Sequence, residues 1–332
     1  FFLQVVMHDH FTTLSQHNRV KIQPIAPIRG LIFSSDGVLL ANNRPSFSLE
    51  IVPEQVKKID RTINELSSLI TIESKDIERF KKQIKKKHRF ISVPLKYNLS
   101  DDEVAKLSVN RHRYPGVEVV AGLNRFYPLA EKLAHVSGYV GVINEEELVT
   151  LDTSNYKGTS HIGKLGAEQA YEGLLHGKVG HRQVEVNATG RIIRVLDRTA
   201  PVSGKNIFLT LDVSLQNLAV EALTDKRGAI VALDPEDGSV LALVSSPGYD
   251  PNPFVNGIDS KSYNKLLGSK DAPLLNRALQ GKYPAGSTIK PFLGLGALDY
   301  GLRNLLDETW CQGWYSLKGS KHRYRDWKKQ GH

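Results

Sequence analysis

Ser287 and Lys290 stand three residues apart in the stretch YPAGSTIKPF, residues 283–292. A hydroxyl and an amine at that spacing can act as a nucleophile and the base that takes its proton. Residues i and i+3 of a helix are neighbours, so the amine can reach the hydroxyl. At a helix start, free backbone N–H groups and the macrodipole favour negative charge. A serine there loses its proton more readily, and its own N–H can serve an oxyanion. A lysine held against an apolar helix is desolvated, which lowers its pKa and frees a neutral amine to act as a base. Pro291 is tolerated because the first helical turn has no partner for its missing N–H. The plainer alternative is a serine that caps the helix and a lysine in solvent.

The spacing alone is weak. Ser-x-x-Lys also occurs at Ser154…Lys157 and Ser262…Lys265, in polar stretches that read as loops. The third copy differs in context: a glycine precedes it, a proline follows it, and Phe292, Leu293, Leu295 and Leu298 form an apolar helix face expected to meet a core. A second group of interest is Cys311, Asp326 and His332. Thiolate, carboxylate and imidazole are all zinc ligands. Their spacing matches no standard finger, so a buried cysteine with solvated neighbours stays open beside the metal reading. Cys311 is the single cysteine, which excludes an internal disulfide.

These residues need a scaffold, and the rest of the chain offers one. With 332 residues, 40% hydrophobic and 24% charged, the chain has a globular balance and the length of two domains. Lys and Arg outnumber Asp and Glu by 44 to 35. That excess would suit an anionic partner. Part of it lies in KKQIKKKHR (81–89), which also reads as a solvated helix face. Only Phe80 and Phe90 flank the run, and a nucleic-acid surface would interleave aromatics with the cations. No stretch reaches the roughly 20 apolar residues of a membrane span. The start, FFLQVV, has no Met and no signal-peptide layout, and it reads as the outer end of a transmembrane helix.

Patterning predicts an α+β chain. Leu31–Phe33 and Val38–Ala41 flank Ser34-Ser35-Asp36-Gly37 as a hairpin, and 47–53 is a further strand. Val56, Ile59, Ile63, Leu66 and Ile70 have helical spacing, a second helix covers 74–86, and Ser100 caps a third. Strand returns at 116–128. Residues 46–120 therefore form a small inserted subdomain. Helices are predicted at 129–138 and within 163–177, and a hairpin at 182–195 turns at Asn187 and Gly190. The polar stretch 200–206 marks a domain boundary. Beyond it come a strand at 206–211, a helix capped by Asp212, a buried hairpin of 228–234 with 239–246, and a helix from about Ser287.

GKYPAGSTIKP, around Ser287, resembles the active-site serine segment of class B penicillin-binding proteins, and the elongation-type members most of all. The resemblance runs along nearly the whole chain. VKIQPIAPIRGLIFSSDGVLLANNRPSFSLEIVPE (20–54) is similar to the family's segment just outside its membrane anchor. NRFYPLAEKLAHVSGYVG (124–141) and GKLGAEQAYEGLLHGKVG (163–180) resemble its non-catalytic pedestal. RGAIVALDPEDGSVLALVSSPGYDPN (227–252) resembles the opening strands of its transpeptidase domain, and GSKHRYRDWKKQGH (319–332) an elongation-type stretch.

This resemblance implies an elongated α/β pedestal over residues 1–200, with the insertion at 46–120. Residues 201–332 would be the N-terminal part of a transpeptidase domain related to serine β-lactamases. Ser287 would attack the D-Ala–D-Ala bond of a stem peptide, Lys290 would take its proton, and β-lactams would acylate the same serine. The chemistry needs no cofactor. The resemblance also implies an inner-membrane anchor with the bulk on the periplasmic side. Its implied partners are lipid-linked precursor, a membrane glycan polymerase of the rod-shape system and other elongation proteins, with no nucleic acid. It implies an acid/His/Cys cluster too, so Cys311, Asp326 and His332 would hold a structural zinc with a fourth ligand past His332. The family's Ser-x-Asn and Lys-Thr/Ser-Gly motifs do not follow Lys290 in this sequence, so the domain is expected to be incomplete here. Two other readings share the same residues: a β-lactam-hydrolysing or -sensing relative, and a non-catalytic pedestal that activates a glycan polymerase.

Overall fold

The computed structural model describes residues 20–332, apart from 87–88, 90–91, 153, 157 and 187–191. The opening FFLQVV, part of the basic run 81–89, Lys157 and the hairpin turn with Asn187 and Gly190 lie outside the described residues. The chain forms two compact units, one reaching to Gly281 and the other running from Lys282 to His332. The secondary structure is mixed α and β, as the patterning requires.

The longest strand of the first unit is β3. Strands β1 (Val20–Ile25) and β2 (Ile32–Phe33) precede it, and β3 itself covers Leu39–Ile51. The predicted Ser34–Gly37 turn joins β2 to β3, closed by Ser34 N on Val38 O at 2.9 Å. The two strands expected at 38–41 and 47–53 are one strand of 13 residues that runs through Pro45. Proline is tolerated there because that stretch of β3 pairs on one side only, with β5 (Val117–Phe126). Strand β4 (Val93–Lys96) joins the far end of β3.

Against that end pack three helices, α1 (Ile59–Ser67), α2 (Ser74–Lys86) and α3 (Asp101–Asn110). The helical spacing of Ile63, Leu66 and Ile70 turns those residues inward, onto Phe80, Leu107 and the strand residues Leu49, Ile51, Val93, Leu95 and Val117. Ser100 Oγ accepts from Glu103 N, and the Glu103 carboxylate accepts from Ser100 N at 3.1 Å, a reciprocal cap for α3.

Strands β6 (Val140–Val142) and β7 (His161–Gly163) form a small pair. Strands β8 (Gly180–Val186) and β9 (Ile192–Thr199) build a three-stranded sheet with β1. The helices predicted at 129–138 and 163–177 are each broken. The first splits at Leu133 into Ala130–Lys132 and Ala134–Ser137, and the second at Tyr171 into Gly166–Ala170 and Glu172–Leu175. The two broken helices meet at glycines. A Cβ on Gly138 would stand 1.8 Å from Leu165 O, so that position excludes any side chain.

Strand β10 (Ile207–Phe208) adds to β2 in parallel. Asp212 caps α4 (Val213–Ala222), its carboxylate accepting from Leu215 N at 2.8 Å. The predicted hairpin is β11 (Gly228–Leu233) with β12 (Val240–Ser246). Its burial is one-sided. Ala242 and Val244 are buried, and the Gln216 amide of α4 holds both backbone groups of Leu243. Val231 and Leu233 on β11 are exposed. The near-continuous apolar pattern suggested two covered faces, and only one is covered among the described residues. After α5 (Ser260–Leu267) and a single turn at Arg277–Gln280, the second unit holds α6 (Lys290–Asp299) and the short pair β13 (Trp314–Tyr315) and β14 (Tyr324–Arg325). Among the described residues no helix is long and apolar enough to cross a membrane.

Candidate active site

Ser287 lies in a 3₁₀ turn, Gly286–Ile289, that runs directly into α6 at Lys290. The Lys290 backbone N–H donates to Ser287 O, which fixes the i, i+3 relation. In a 3₁₀ turn side chains three apart eclipse, so the amine-bearing residue stands over the hydroxyl-bearing one. Ser287 does not cap the helix with its side chain. That removes the capping alternative for its hydroxyl. Thr288 Oγ1 instead donates to Ala285 O at 2.5 Å. Gly286 has φ +56, a conformation that favours glycine, immediately before the serine.

The expectation of a desolvated lysine is not met by the described residues. Ser287 and Lys290 are exposed. Phe292, Leu293 and Leu295 are 69%, 64% and 65% exposed, so the α6 face meets no core here. A second expectation also changes. Ser262 and Lys265, read as loop residues, lie on α5. Helical i, i+3 placement therefore does not single out Ser287 by itself. What remains particular to it is the glycine-led turn and the apolar helix it opens.

The Cys311, Asp326 and His332 side chains come together. Their ligand atoms lie within 4.8 Å of one another, and Cys311 Sγ is 3.9 Å from Asp326 Oδ2. For a tetrahedral zinc, sulfur and oxygen ligands stand roughly 3.6 Å apart, so the trio is close to what that metal needs. The backbone prepares it. Cys311 N donates to His332 O at 2.8 Å, and His332 N to Cys311 O at 2.9 Å. Gly331, with φ +79, lets the two segments touch, since a Cβ there would fall 1.7 Å from Cys311 O.

The sequence reading missed a buried ionic network in the first unit. Glu168, fully buried, accepts from Arg125 Nε at 2.6 Å, Arg29 Nε at 2.7 Å and Tyr127 Oη at 3.2 Å. Arg29 also reaches Glu172 at 2.6 Å. Burial alone would raise the Glu172 carboxyl, but Arg29, the Gly163 N–H and the Tyr156 hydroxyl hold it below the usual carboxylate range. Buried charges persist only when paired and hydrogen-bonded in this way. The network ties the segment before β2 to β5 and the 166–175 helices, so it is a structural lock rather than a reactive centre.

Comparison with known proteins finds two family matches along the chain. Residues 24–209 match the Penicillin-binding Protein dimerisation domain, and residues 228–332 match the Penicillin binding protein transpeptidase domain. The chain is 45% identical to the peptidoglycan D,D-transpeptidase MrdA of Escherichia coli K12, over 99% of this chain and 53% of that protein. It superposes with a TM-score of 0.80 and 29% identity on a structure described as a complex between PBP2 and MreC from Helicobacter pylori, covering 94% of this chain and 59% of that one. Pseudomonas aeruginosa PBP2, solved in complex with WCK 5153, gives 0.63 and 36% identity, with 94% and 49% covered. The chain spans about half the length of the curated relatives it matches.

Proposed function

The chain belongs to the class B penicillin-binding proteins, of the PBP2/MrdA group, and we propose that the complete protein is a peptidoglycan D,D-transpeptidase of cell-wall elongation. The observation that carries this reading is the glycine-led turn that puts Ser287 one step ahead of Lys290 inside the transpeptidase match. Residues 1–200 are then a pedestal with an inserted head at 46–120, and residues from 201 on begin the transpeptidase domain.

The chemistry is acyl transfer. Lys290 Nζ takes the proton of Ser287 Oγ, which adds to the penultimate D-Ala carbonyl carbon of a stem peptide. The oxyanion collapses, the C–N bond breaks, and D-alanine leaves with a proton on its amine. An amine of a second stem then attacks the ester and frees the serine. A β-lactam carbonyl would be opened by the same oxygen. A neutral lysine requires desolvation, and the exposed α6 face needs cover.

Cys311, Asp326 and His332 fit a structural zinc by donor type and spacing. The metal would tie the 311–332 loop together and takes no part in the acyl transfer. Metal analysis of the full-length protein should find about one zinc per chain, lost in Cys311→Ser. A full-length protein without stoichiometric zinc contradicts the assignment. We place the protein at the bacterial inner membrane, facing the periplasm, with a membrane glycan polymerase and rod-shape proteins as partners. The MreC complex of the Helicobacter pylori relative supports the last of these.

The test of the main reading is covalent labelling of the full-length protein with a fluorescent penicillin. Labelling is expected, and Ser287→Ala should abolish it. Labelling that survives Ser287→Ala contradicts the reading. Rapid loss of the label to water would mark a β-lactam hydrolase instead.

A further inference from the structure

A cavity of about 180 Å³ lies beside the buried ionic network of the first unit. Its polar wall is cationic. Arg29, from the segment between β1 and β2, and Arg125, on β5, both line it, as do His161 of β7 and His176. Glu168 and Glu172, the partners of these arginines, do not line it, and neither does any other carboxylate among the described residues. The cations therefore face the space with their counter-charges behind them, which leaves a positive field inside.

Arg125 is 5% exposed, and its Nη2 has no hydrogen-bond partner among the described residues. Its Nε donates to Glu168, and its Nη1 to Gly30 O and Asn43 Oδ1. An unmatched guanidinium donor in the interior is costly, so this wall calls for an acceptor. Burial, and after it the Arg29 charge, hold His161 and His176 below the ordinary histidine value. Both rings are therefore neutral at pH 7 and bring hydrogen-bonding groups without charge. The rest of the lining includes an apolar set. Val140 and Val255 are buried and close the inner end, whereas Ile28 and Leu123, each 53% exposed, stand at the mouth. The volume admits an anionic head with a short hydrocarbon tail and is too small for a nucleotide or a sugar chain.

We propose that this cavity is a binding site for a small carboxylate with a short aliphatic tail. The carboxylate sits at the Arg29 and Arg125 wall, since the planar guanidinium fork matches its two oxygens. The tail lies against Ile28, Leu123, Val140 and Val255. All of these residues belong to the first unit, so the inference is independent of the acyl transfer assigned to Ser287.

The experiment is a heteronuclear NMR titration of the 332-residue chain with butyrate at constant ionic strength. Saturable shifts are expected at the amides of Ile28, Leu123 and Thr159, all on the cavity wall, with half-saturation near about 1 mM for so small a guest. Butylamine, of opposite charge, should leave these amides unmoved. Inorganic phosphate, which has no tail, should bind about tenfold more weakly or worse. Leu123→Trp sets an indole in the mouth without touching the ionic network and should weaken butyrate about tenfold or more. Leu123→Ser, which removes only apolar contact, should weaken it about threefold. Shifts that grow linearly without saturation would mean that water alone fills the cavity, and the proposal would be overturned. Butyrate affinity unchanged in Leu123→Trp overturns it too, because the anion then binds elsewhere. Phosphate as tight as butyrate overturns the carboxylate assignment. If Leu123→Trp does not fold, Leu123→Ser decides, and a wild-type affinity there removes the tail contact and the proposal with it.

Discussion

Helices α2 and α6 both carry an apolar face, and they end in opposite surroundings. On α2, Phe80 is fully buried among Ile63, Leu66, Leu95 and their neighbours. On α6, Phe292 is 69% exposed. The difference is not in the helices but in what their neighbourhood of chain supplies. Between residues 47 and 119 the described residues provide three α-helices and three strand segments, enough to close a core on themselves. Between Lys282 and His332 it provides one helix of ten residues and two strands of two. Periodicity specifies which face wants cover, and only topology says whether cover is at hand.

The sharpest way to break that contrast is substitution of equivalent aromatics in the 332-residue chain. Phe80→Ala should lower the unfolding free energy by about 3–5 kcal/mol, from lost transfer energy and the cavity left behind. Phe292→Ala in the same chain should change it by about 0.5 kcal/mol or less, as for an exposed site. Chemical denaturation measures both. Equal losses would show that α6 is packed after all, and the contrast would be gone.

A smaller effect separates the two units by pH. Burial pushes His135, His161 and His176 below the ordinary histidine value of 6.5, and all three lie in the first unit. Groups lowered in the folded state bind fewer protons there than in the unfolded chain. Their stabilisation is complete above about 6.5 and is lost as pH falls through the folded-state values. The melting temperature of the chain should therefore drop from pH 7 to pH 5, and His161→Gln combined with His176→Gln should flatten that slope. A slope unchanged by the double substitution would mean that the histidines do not carry it.

Much of the local structure was legible in the sequence. The Asp-Gly turn before β3, the Ser100 and Asp212 caps and the α1 spacing all rest on interactions within a few residues. The broken helices were not legible, because Leu133 and Tyr171, where they break, are ordinary helix residues. The Arg29–Glu168–Arg125 lock was hidden for a similar reason. Its members lie 139 and 43 residues apart and meet only through the sheet. At the candidate site, the turn that carries Ser287 and Lys290 could be read from the motif, and the convergence of Cys311, Asp326 and His332 from a resemblance. The exposure of the turn could not, since it depends on what covers α6.

The central claim is that Ser287 Oγ is the atom that accepts the acyl group. Peptide mapping by mass spectrometry, on full-length protein treated with a penicillin, tests it most directly. The account predicts a single added penicilloyl mass on the peptide that holds Ser287, with fragment ions placing it on that residue. A mass carried by any other serine, or by none, would contradict the account.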